Sequence, residues 1–110
     1  MGDGVGAVFA ALADPSRRTI VERLALAGRA TPTELAGELP MTRQAVAKHL
    51  ATLEHAGLVR ARREGRQTVY RPDPAPLRDA TAWMNRVGTE WDARLEALAR
   101  HVGRPPQAAP

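Results

Sequence analysis

Residues 42–57 decide the fold, and they read TRQAVAKHLATLEHAG. Three apolar side chains recur in this stretch at i, i+4 and i+7, the spacing of one helix face: Val46, Leu50 and Leu53. Thr42 is a suitable N-cap residue, and Gly57 tolerates the left-handed conformation that often follows a helix. The stretch therefore predicts a capped helix with one apolar face and one polar face.

The polar face of this helix carries small and hydrogen-bonding groups. At 100° per residue, four residues lie within about 40° of the direction opposite Val46: Gln44, Lys48, Ala51 and His55. An ordinary surface helix more often carries Glu–Lys pairs four residues apart, whereas Glu54 is the only acid here. Alanine permits close approach of the backbone, Gln44 can pair with adenine, and Arg43 or Lys48 can donate to guanine or phosphate. The face is therefore suited to a DNA groove.

Three more helices are predicted upstream from their start and stop signals. Helical spacing of apolar residues predicts a first helix over 5–13. An Asp-Pro start and a glycine stop delimit a second helix over 14–28. Residues 31–34, Thr-Pro-Thr-Glu, match a capping box for a brief third helix, which Pro40 ends. The third and fourth helices together form a tight helix-turn-helix corner over about 32–57.

A β-hairpin is predicted after the fourth helix, because the period of the apolar residues changes from 3.6 to 2. Residues 58–63 and 67–71 predict two strands around a Glu64-Gly65-Arg66 loop, whose glycine supplies a positive φ. Three arginines flank the tip: Arg62, Arg63 and Arg66. The fold class that follows is mainly α with a small hairpin over 58–71: a winged helix-turn-helix of five helices, whose second motif helix enters the major groove.

Positive charge is concentrated in the same part of the chain. The whole chain has a net charge of +4, whereas residues 41–71 hold seven basic residues against two acids, a local +5. A basic segment between neutral flanks is typical of a surface that contacts phosphates, because the contact releases condensed counterions. A solvated, charge-rich hairpin is the alternative on charge alone. The candidate DNA-binding residues are Thr42, Arg43, Gln44, Ala45, Lys48, His49, Arg62, Arg63 and Arg66.

A long last helix is predicted over about residues 75–101. Its large apolar residues repeat every seven positions, the pattern of a helix interface: Leu77, Met84, Trp91 and Leu98. Because 21 of the hydrophobic residues are alanine and only four are aromatic, we expect two copies to share this stripe. The predicted dimer interface on the first and last helices comprises Val5, Phe9, Leu77, Met84, Val87, Trp91, Leu95 and Leu98. For Trp83 and Trp91 we expect core packing, with a ligand contact as the alternative.

Length and composition exclude several other classes of protein. The 110 residues suffice for one domain, over 1–102, with a disordered tail over 103–110. The lack of cysteine excludes disulfides, thiolate metal sites and a cysteine nucleophile. No signal sequence or membrane-length apolar run is present, which predicts a cytoplasmic protein without membrane contact. No phosphate loop or nucleophile motif occurs, and Ser16 is the only serine, so no enzyme is expected.

Two stretches about 25 residues apart carry a family resemblance. Residues 11–18, ALADPSRR, and 41–50, MTRQAVAKHL, are followed by Leu53 and by Ala-Gly-Leu-Val at 56–59. This pattern resembles the ArsR-type winged-helix transcriptional repressors over roughly residues 5–100. The resemblance implies a homodimer paired through its first and last helices, with two recognition helices in successive major grooves of a pseudo-palindromic operator. It also implies repression by occlusion, commonly of the regulator's own operon.

Many members of that family sense metals, but their ligand patterns are incomplete here. The third-helix pattern Glu-Leu-Cys-x-Cys-Asp-Leu corresponds to residues 34–39, where both thiolates are missing. The last-helix pattern finds only Asp79 and, much later, His101. The resemblance therefore favours the branch without a known metal site, and we expect no cofactor. An inter-subunit carboxylate site would be the one route to metal sensing.

The sequence leaves open whether an effector binds and whether the basic face binds DNA or an acidic protein. The expected partners are double-stranded DNA and a second copy of the chain, and an unidentified small-molecule or protein effector is a further candidate. The alternative function is a winged-helix interaction module, whose basic face binds an acidic protein without sequence-specific DNA binding. Arg43 and Gln44 at the start of a capped helix favour DNA over this alternative.

Overall fold

The computed structural model describes residues 3–102. The elements follow in the order α1 (Asp3–Leu12), α2 (Pro15–Ala27), α3 (Pro32–Glu38), α4 (Arg43–His55), β1 (Val59–Glu64), β2 (Gln67–Pro72) and α5 (Ala75–His101). Five helices and one antiparallel hairpin confirm the predicted winged helix-turn-helix class. The described part of the chain forms two compact units, which meet in sequence between Ala80 and Thr81. The predicted disordered tail lies outside the described residues.

Side-chain caps start the helices where the sequence predicted them. Asp14 Oδ1 accepts the amide of the second residue of α2 at 2.7 Å. The predicted capping box is formed: Thr31 Oγ1 accepts the Glu34 amide at 3.1 Å, and Glu34 Oε1 accepts the Thr31 amide at 2.9 Å. Thr42 Oγ1 accepts the Ala45 amide at 3.1 Å at the start of α4. Each cap satisfies amides that a helix start leaves unpaired, and is worth roughly 1 kcal/mol.

Gly57 ends α4 in the left-handed conformation, with φ +83°, as the sequence predicted. Its amide donates to the carbonyl of Glu54 at 2.9 Å, and the amide of Leu58 donates to the carbonyl of Leu53 at 2.9 Å. These two bonds are the pattern of a Schellman motif, which satisfies the last carbonyls of a helix. The chain is thereby turned from the recognition helix directly into the first strand of the hairpin.

The core of the first unit lies between the helices and the base of the hairpin. Its largest fully buried side chains are Val8, Ile20, Leu24, Leu35, Val46, Leu50, Leu53 and Val69. The apolar stripe of α4 therefore faces inward as its spacing predicted, which leaves the opposite face free. Burying each such side chain is worth roughly 1.5–3 kcal/mol by transfer from water.

The hairpin has a shorter loop than the sequence indicated. Glu64, which was expected in the loop, is paired with Gln67, so that the turn consists of Gly65 and Arg66. Gly65 has φ +64°, whereas Arg66 has no positive φ. Glycine at the first central position is the pattern of a type II′ turn, whose twist matches that of the flanking strands. The predicted loop was one residue too long because the Glu64–Gln67 pair continues the strand ladder up to the turn.

A third segment pairs with the hairpin, and no local sequence pattern predicted this pairing. The amide of Ala30 donates to the carbonyl of Tyr70 at 3.0 Å, and the amide of Tyr70 donates back to Ala30 at 2.8 Å. Between the two strands of the hairpin, next to the Val59–Pro72 pair, the amide of Asp73 donates to the carbonyl of Leu58 at 2.8 Å. The base of the wing is therefore fixed to the segment that precedes α3.

The last helix spans the predicted residues, and most of its large apolar side chains are exposed. Ala80 is buried in the core of the first unit, and Leu77 packs against that core. Beyond residue 80, Val87 is half-buried, and the exposed side chains are Trp83, Met84, Trp91, Leu95 and Leu98. Trp83 is 41% exposed and Trp91 is 68% exposed, so the core placement expected for both is not found within one chain. No helix among residues 3–102 is both long and apolar enough to cross a membrane.

Candidate nucleic-acid interface

The outer face of α4 is exposed, and it contains the residues that the sequence placed opposite Val46. Val46, Leu50 and Leu53 are fully buried, while the outer residues are exposed: Arg43, Gln44, Ala47, Lys48, Ala51 and His55. Arg43, Gln44 and Lys48 carry hydrogen-bond donors in the first two turns of α4. Ala47 lies between these donors in the sequence, and Ala51 follows them. Such a face offers donors to a groove with little bulk in the way.

Thr42 and Ala45 contribute to this face through the backbone. The hydroxyl of Thr42 already accepts the Ala45 amide, so its oxygen is engaged in capping α4. Ala45 is half-buried, and Thr42 is exposed. Both residues therefore set the position of the first turn, whose remaining amides carry the positive end of the helix dipole.

The arginines of the wing fall into two groups. Arg60 is paired with Asp73, with Nε 2.9 Å from Oδ2, and Arg71 is paired with Glu64 at the same distance. Arg63 donates through Nε to the carbonyl of Gly65 at 3.1 Å, which holds it along the turn. The cations of residues 41–71 that have no carboxylate within ion-pair distance, among the described side chains, are Arg43, Lys48, Arg62, Arg63 and Arg66.

These five cations are the ones predicted from the sequence to contact DNA. Arg60 and Arg71 are outside that prediction, and they are the two arginines that the fold pairs with acids. The local charge of the block is therefore presented at the first turns of α4 and at the tip of the hairpin. This is the distribution that a winged helix-turn-helix uses to approach phosphates.

The acids that hold these pairs stay ionised near neutral pH. The hydrogen bond from Arg71 lowers the pKa of Glu64, and the charges of Arg71, Arg29 and Arg62 add to the effect. A hydrogen bond from the Ala75 amide and the Arg60 side chain lower the pKa of Asp73. Because both carboxylates keep their charge, the division of the arginines into paired and free groups persists over the physiological range.

His49, a predicted DNA-binding residue, lies on a different side of α4. It is half-buried, and its Nδ1 is 3.5 Å from Nη1 of Arg17. Sequence reasoning missed this contact because the two residues are 32 positions apart. The signal that was available is the Asp-Pro-Ser-Arg-Arg stretch at 14–18, in which arginines follow a helix end.

The candidate dimer residues differ in exposure. On α1, Phe9 is 37% exposed, and Val5 is half-buried against the core. Leu77 lies at the start of α5 and packs on the first unit. The remaining candidates lie beyond residue 80, where Met84, Trp91, Leu95 and Leu98 are exposed.

No cluster of three or more histidine, aspartate or glutamate side chains suited to a metal ion occurs among the described residues.

Comparisons with known proteins agree with the fold. A helix-turn-helix domain model matches residues 12–62. The chain is 46% identical over 92 residues to the HTH-type transcriptional regulator Rv2034 of Mycobacterium tuberculosis, with 84% of this chain and 82% of that protein covered.

Solved structures show the same similarity in three dimensions. An ArsR-like transcriptional regulator from Rhodococcus sp. RHA1 matches with a TM-score of 0.78 and 39% identity, over 88% of this chain and 91% of that one. The homodimeric winged helix-turn-helix DNA-binding domain of Mb0332 from Mycobacterium bovis matches with a TM-score of 0.61 and 32% identity, over 86% and 84% of the two chains. With its capped recognition helix and basic wing, the chain belongs to the ArsR family of DNA-binding transcriptional regulators.

Proposed function

We propose that the protein is a homodimeric repressor, which occludes a pseudo-palindromic operator in the upstream region of its own operon. Gln44 and Arg43 or Lys48 on α4 contact base edges in the major groove. Arg62, Arg63 and Arg66 contact phosphates or enter the minor groove beside it. Thr42, Ala45 and His49 hold the first turns of α4 in place.

The observation that carries this proposal is the position of the free cations. The fold pairs Arg60 and Arg71 with acids but leaves the cations of α4 and of the hairpin tip without such partners among the described side chains. An interaction surface for an acidic protein would also gain from charge, but it would not need the small, exposed alanines that lie among the donors of α4. The combination favours duplex DNA.

The dimer is supported by the exposed apolar residues of α5. Met84, Trp91, Leu95 and Leu98 are each at least 46% exposed. Met84, Trp91 and Leu98 follow the seven-residue spacing of a helix interface, and Leu95 lies close to the complementary position of that repeat. Large apolar patches on a protein surface commonly mark sites of association. The domain of Mb0332 is described as homodimeric, which supports the same assembly here. Phe9 and Val5 of α1 would complete the interface.

The remaining parts of the proposal rest on the residues present. The protein acts without a metal, because the cysteines of the family's third-helix sensor pattern are missing from residues 34–39. It acts in the cytoplasm and is not an enzyme. Trp83 and Trp91 are the side chains suited to contact an unidentified small-molecule or protein effector.

A DNA titration tests the function directly. The purified dimer is titrated with duplex from its own upstream region and with random duplex of equal length, at several salt concentrations. We expect a preference for the upstream duplex, and a logarithm of affinity that falls steeply with the logarithm of salt. Equal affinity for the two duplexes at moderate salt would reject the repressor and would favour the interaction module. Selection from random DNA then gives the operator sequence.

A further inference from the structure

Arg17 joins three helices of the first unit through one guanidinium group. Its Nε donates to the carbonyl of Ala11 at 2.6 Å, and its Nη2 donates to the carbonyl of Ala10 at 3.4 Å. Both carbonyls belong to the last turn of α1, which has no basic residue of its own there. The side chain is only 19% exposed, so most of it lies inside the corner between α1 and α2.

The third nitrogen of Arg17 faces the recognition helix. Its Nη1 is 3.8 Å from Oδ2 of Asp14, the N-cap of α2, and 3.5 Å from Nδ1 of His49 on α4. A guanidinium can only donate, so this contact is a hydrogen bond when Nδ1 of His49 accepts. The guanidinium group of Arg17 thus contacts the end of α1, the N-cap of α2 and the middle of α4.

Asp14 keeps the charge of Arg17 balanced inside this corner. Partial burial acts to raise the pKa of Asp14, but hydrogen bonds from the amides of Ser16 and Arg17 and the charge of Arg17 outweigh it and lower the pKa. Asp14 is therefore ionised near neutral pH, and it opposes the positive charge beside His49.

Arg18 provides an internal comparison. Its Nη1 donates to the carbonyl of Leu12 at 2.7 Å, so that it caps the same helix end as Arg17. Arg18 is exposed, and among the described residues it has no hydrogen bond to α4. The two neighbouring arginines share the capping of α1, but only Arg17 reaches the recognition helix.

We propose that Arg17 is a positioning residue for DNA recognition, which fixes α4 against the corner of α1 and α2 through its contact with His49. This inference rests on the proposed function, since it concerns the helix that reads the DNA. His49 then acts by holding the helix and not by contacting bases. Because α1 is also a proposed dimer helix, Arg17 ties the position of each recognition helix to the part of the chain that faces the second copy.

The test replaces each arginine by lysine, so that charge is conserved. Arg17→Lys keeps the cation but loses the planar fork that serves three helices, whereas Arg18→Lys is the matched control. Amide chemical shifts of residues 45–52 are compared by NMR in the free proteins, and affinity is measured on the operator and on random duplex. For Arg17→Lys we expect shifted α4 resonances, about tenfold weaker operator binding, unchanged random-duplex affinity and an intact dimer. Arg18→Lys should match the wild type in all four.

A second variant covers the case in which Arg17→Lys does not fold. His49→Phe keeps a ring of similar shape but removes the acceptor, and it should also weaken operator binding about tenfold. The double variant should lose no more than either single one, because both remove the same contact. Multiplied losses would assign His49 an independent DNA contact and overturn the proposal, as would identical behaviour of Arg17→Lys and Arg18→Lys.

The repressor function and the positioning role of Arg17 can be rejected separately. If the wild type has no preference for any duplex, the repressor function is rejected. The α4 chemical shifts of Arg17→Lys would still report whether Arg17 holds α4 through His49. If the wild type has an operator but Arg17→Lys binds it normally with unshifted α4 resonances, the function stands and the positioning role is rejected.

Discussion

Glu64 and Arg71 form an ion pair across the hairpin, with Oε2 of Glu64 2.9 Å from Nη1 of Arg71. The other carboxylate oxygen, Oε1, lies 3.4 Å from Nη2 of Arg29, which precedes the segment that pairs with β2. Glu64 is the only acid in residues 58–71, and it holds two arginines that would otherwise be free to meet phosphates. It therefore limits how much of the charge of the wing is available for sequence-independent binding.

Replacing Glu64 by Gln should increase the affinity for random duplex. Release of Arg29 and Arg71 adds up to two phosphate contacts, so the slope of log affinity against log salt should steepen by roughly 1–2. The measurement is a salt titration on random duplex by fluorescence anisotropy. Glu22→Gln, an exposed acid of α2, changes the net charge equally and is the control. Equal slopes for the two variants would mean that Glu64 acts only through net charge.

Replacing Gln44 by Ala should reduce specific binding. The loss should be roughly 1–3 kcal/mol on the operator and small on random duplex, because the side chain is exposed on the groove face and carries no charge. Arg66→Ala, at the hairpin turn, should weaken binding to both duplexes alike, since a phosphate contact carries little sequence information. If Gln44→Ala weakened both equally, Gln44 would be removed from the base-reading role.

Replacing Trp91 by Asp should convert the dimer to a monomer. Trp91 is 68% exposed in one chain and lies in the seven-residue stripe of α5, so a charge there would be buried at the proposed interface. Sedimentation velocity measures the change in mass. Leu26→Asp places the same charge at a leucine that is 85% exposed on α2, outside the interface, and should leave the dimer intact. A dimer that survives Trp91→Asp would place the interface elsewhere.

Replacing Leu50 by Ala should lower the free energy of unfolding by roughly 2–5 kcal/mol, because Leu50 is fully buried and its removal leaves a cavity. Urea unfolding at one fixed protein concentration measures the loss, since a dimer gains stability with concentration. Leu26→Ala is the exposed control and should change stability little. Equal small effects of the two would indicate that α4 is not packed in the core as described.

Acid should destabilise the protein partly through Asp14. Since its pKa is lower in the folded chain than in the unfolded one, the unfolded chain binds more protons between the two values. The contribution is therefore complete above the unfolded pKa of about 4 and is lost as the pH falls below it. Asp14→Asn keeps a capping oxygen but cannot titrate, so its urea midpoint should fall less between pH 5 and about pH 3. An equal fall for Asp14→Asn and the wild type would contradict this contribution of Asp14.

Much of the fold follows from signals that act over a few residues. Asp14, the Thr31–Glu34 box and Thr42 each cap an amide two or three residues away, so local sequence alone predicts the helix starts. The helical spacing of Val46, Leu50 and Leu53 likewise predicts the buried face of α4. The same spacing predicts that Gln44 and Lys48 face outward.

The parts that sequence reasoning missed depend on residues far apart in the chain. Ala30 meets Tyr70 across 40 positions, and Arg17 meets His49 across 32; neither contact has a local pattern. The division of the arginines into paired and free groups is also non-local for Arg60, whose partner Asp73 lies beyond the hairpin. Composition predicts that the wing is basic, but only the register and these pairs determine which cations stay available.

The reciprocal hydrogen bonds between Ala30 and Tyr70 have a thermodynamic consequence for the wing. A two-stranded hairpin by itself is marginally stable in water. Here the loss of the hairpin would also break the bonds to the segment between α2 and α3, and would expose Val69, which is fully buried in the core. The amides of Ala30 and Tyr70 should therefore exchange with solvent only when the helix-turn-helix itself opens, so that the wing and the recognition helix form one cooperative folding unit.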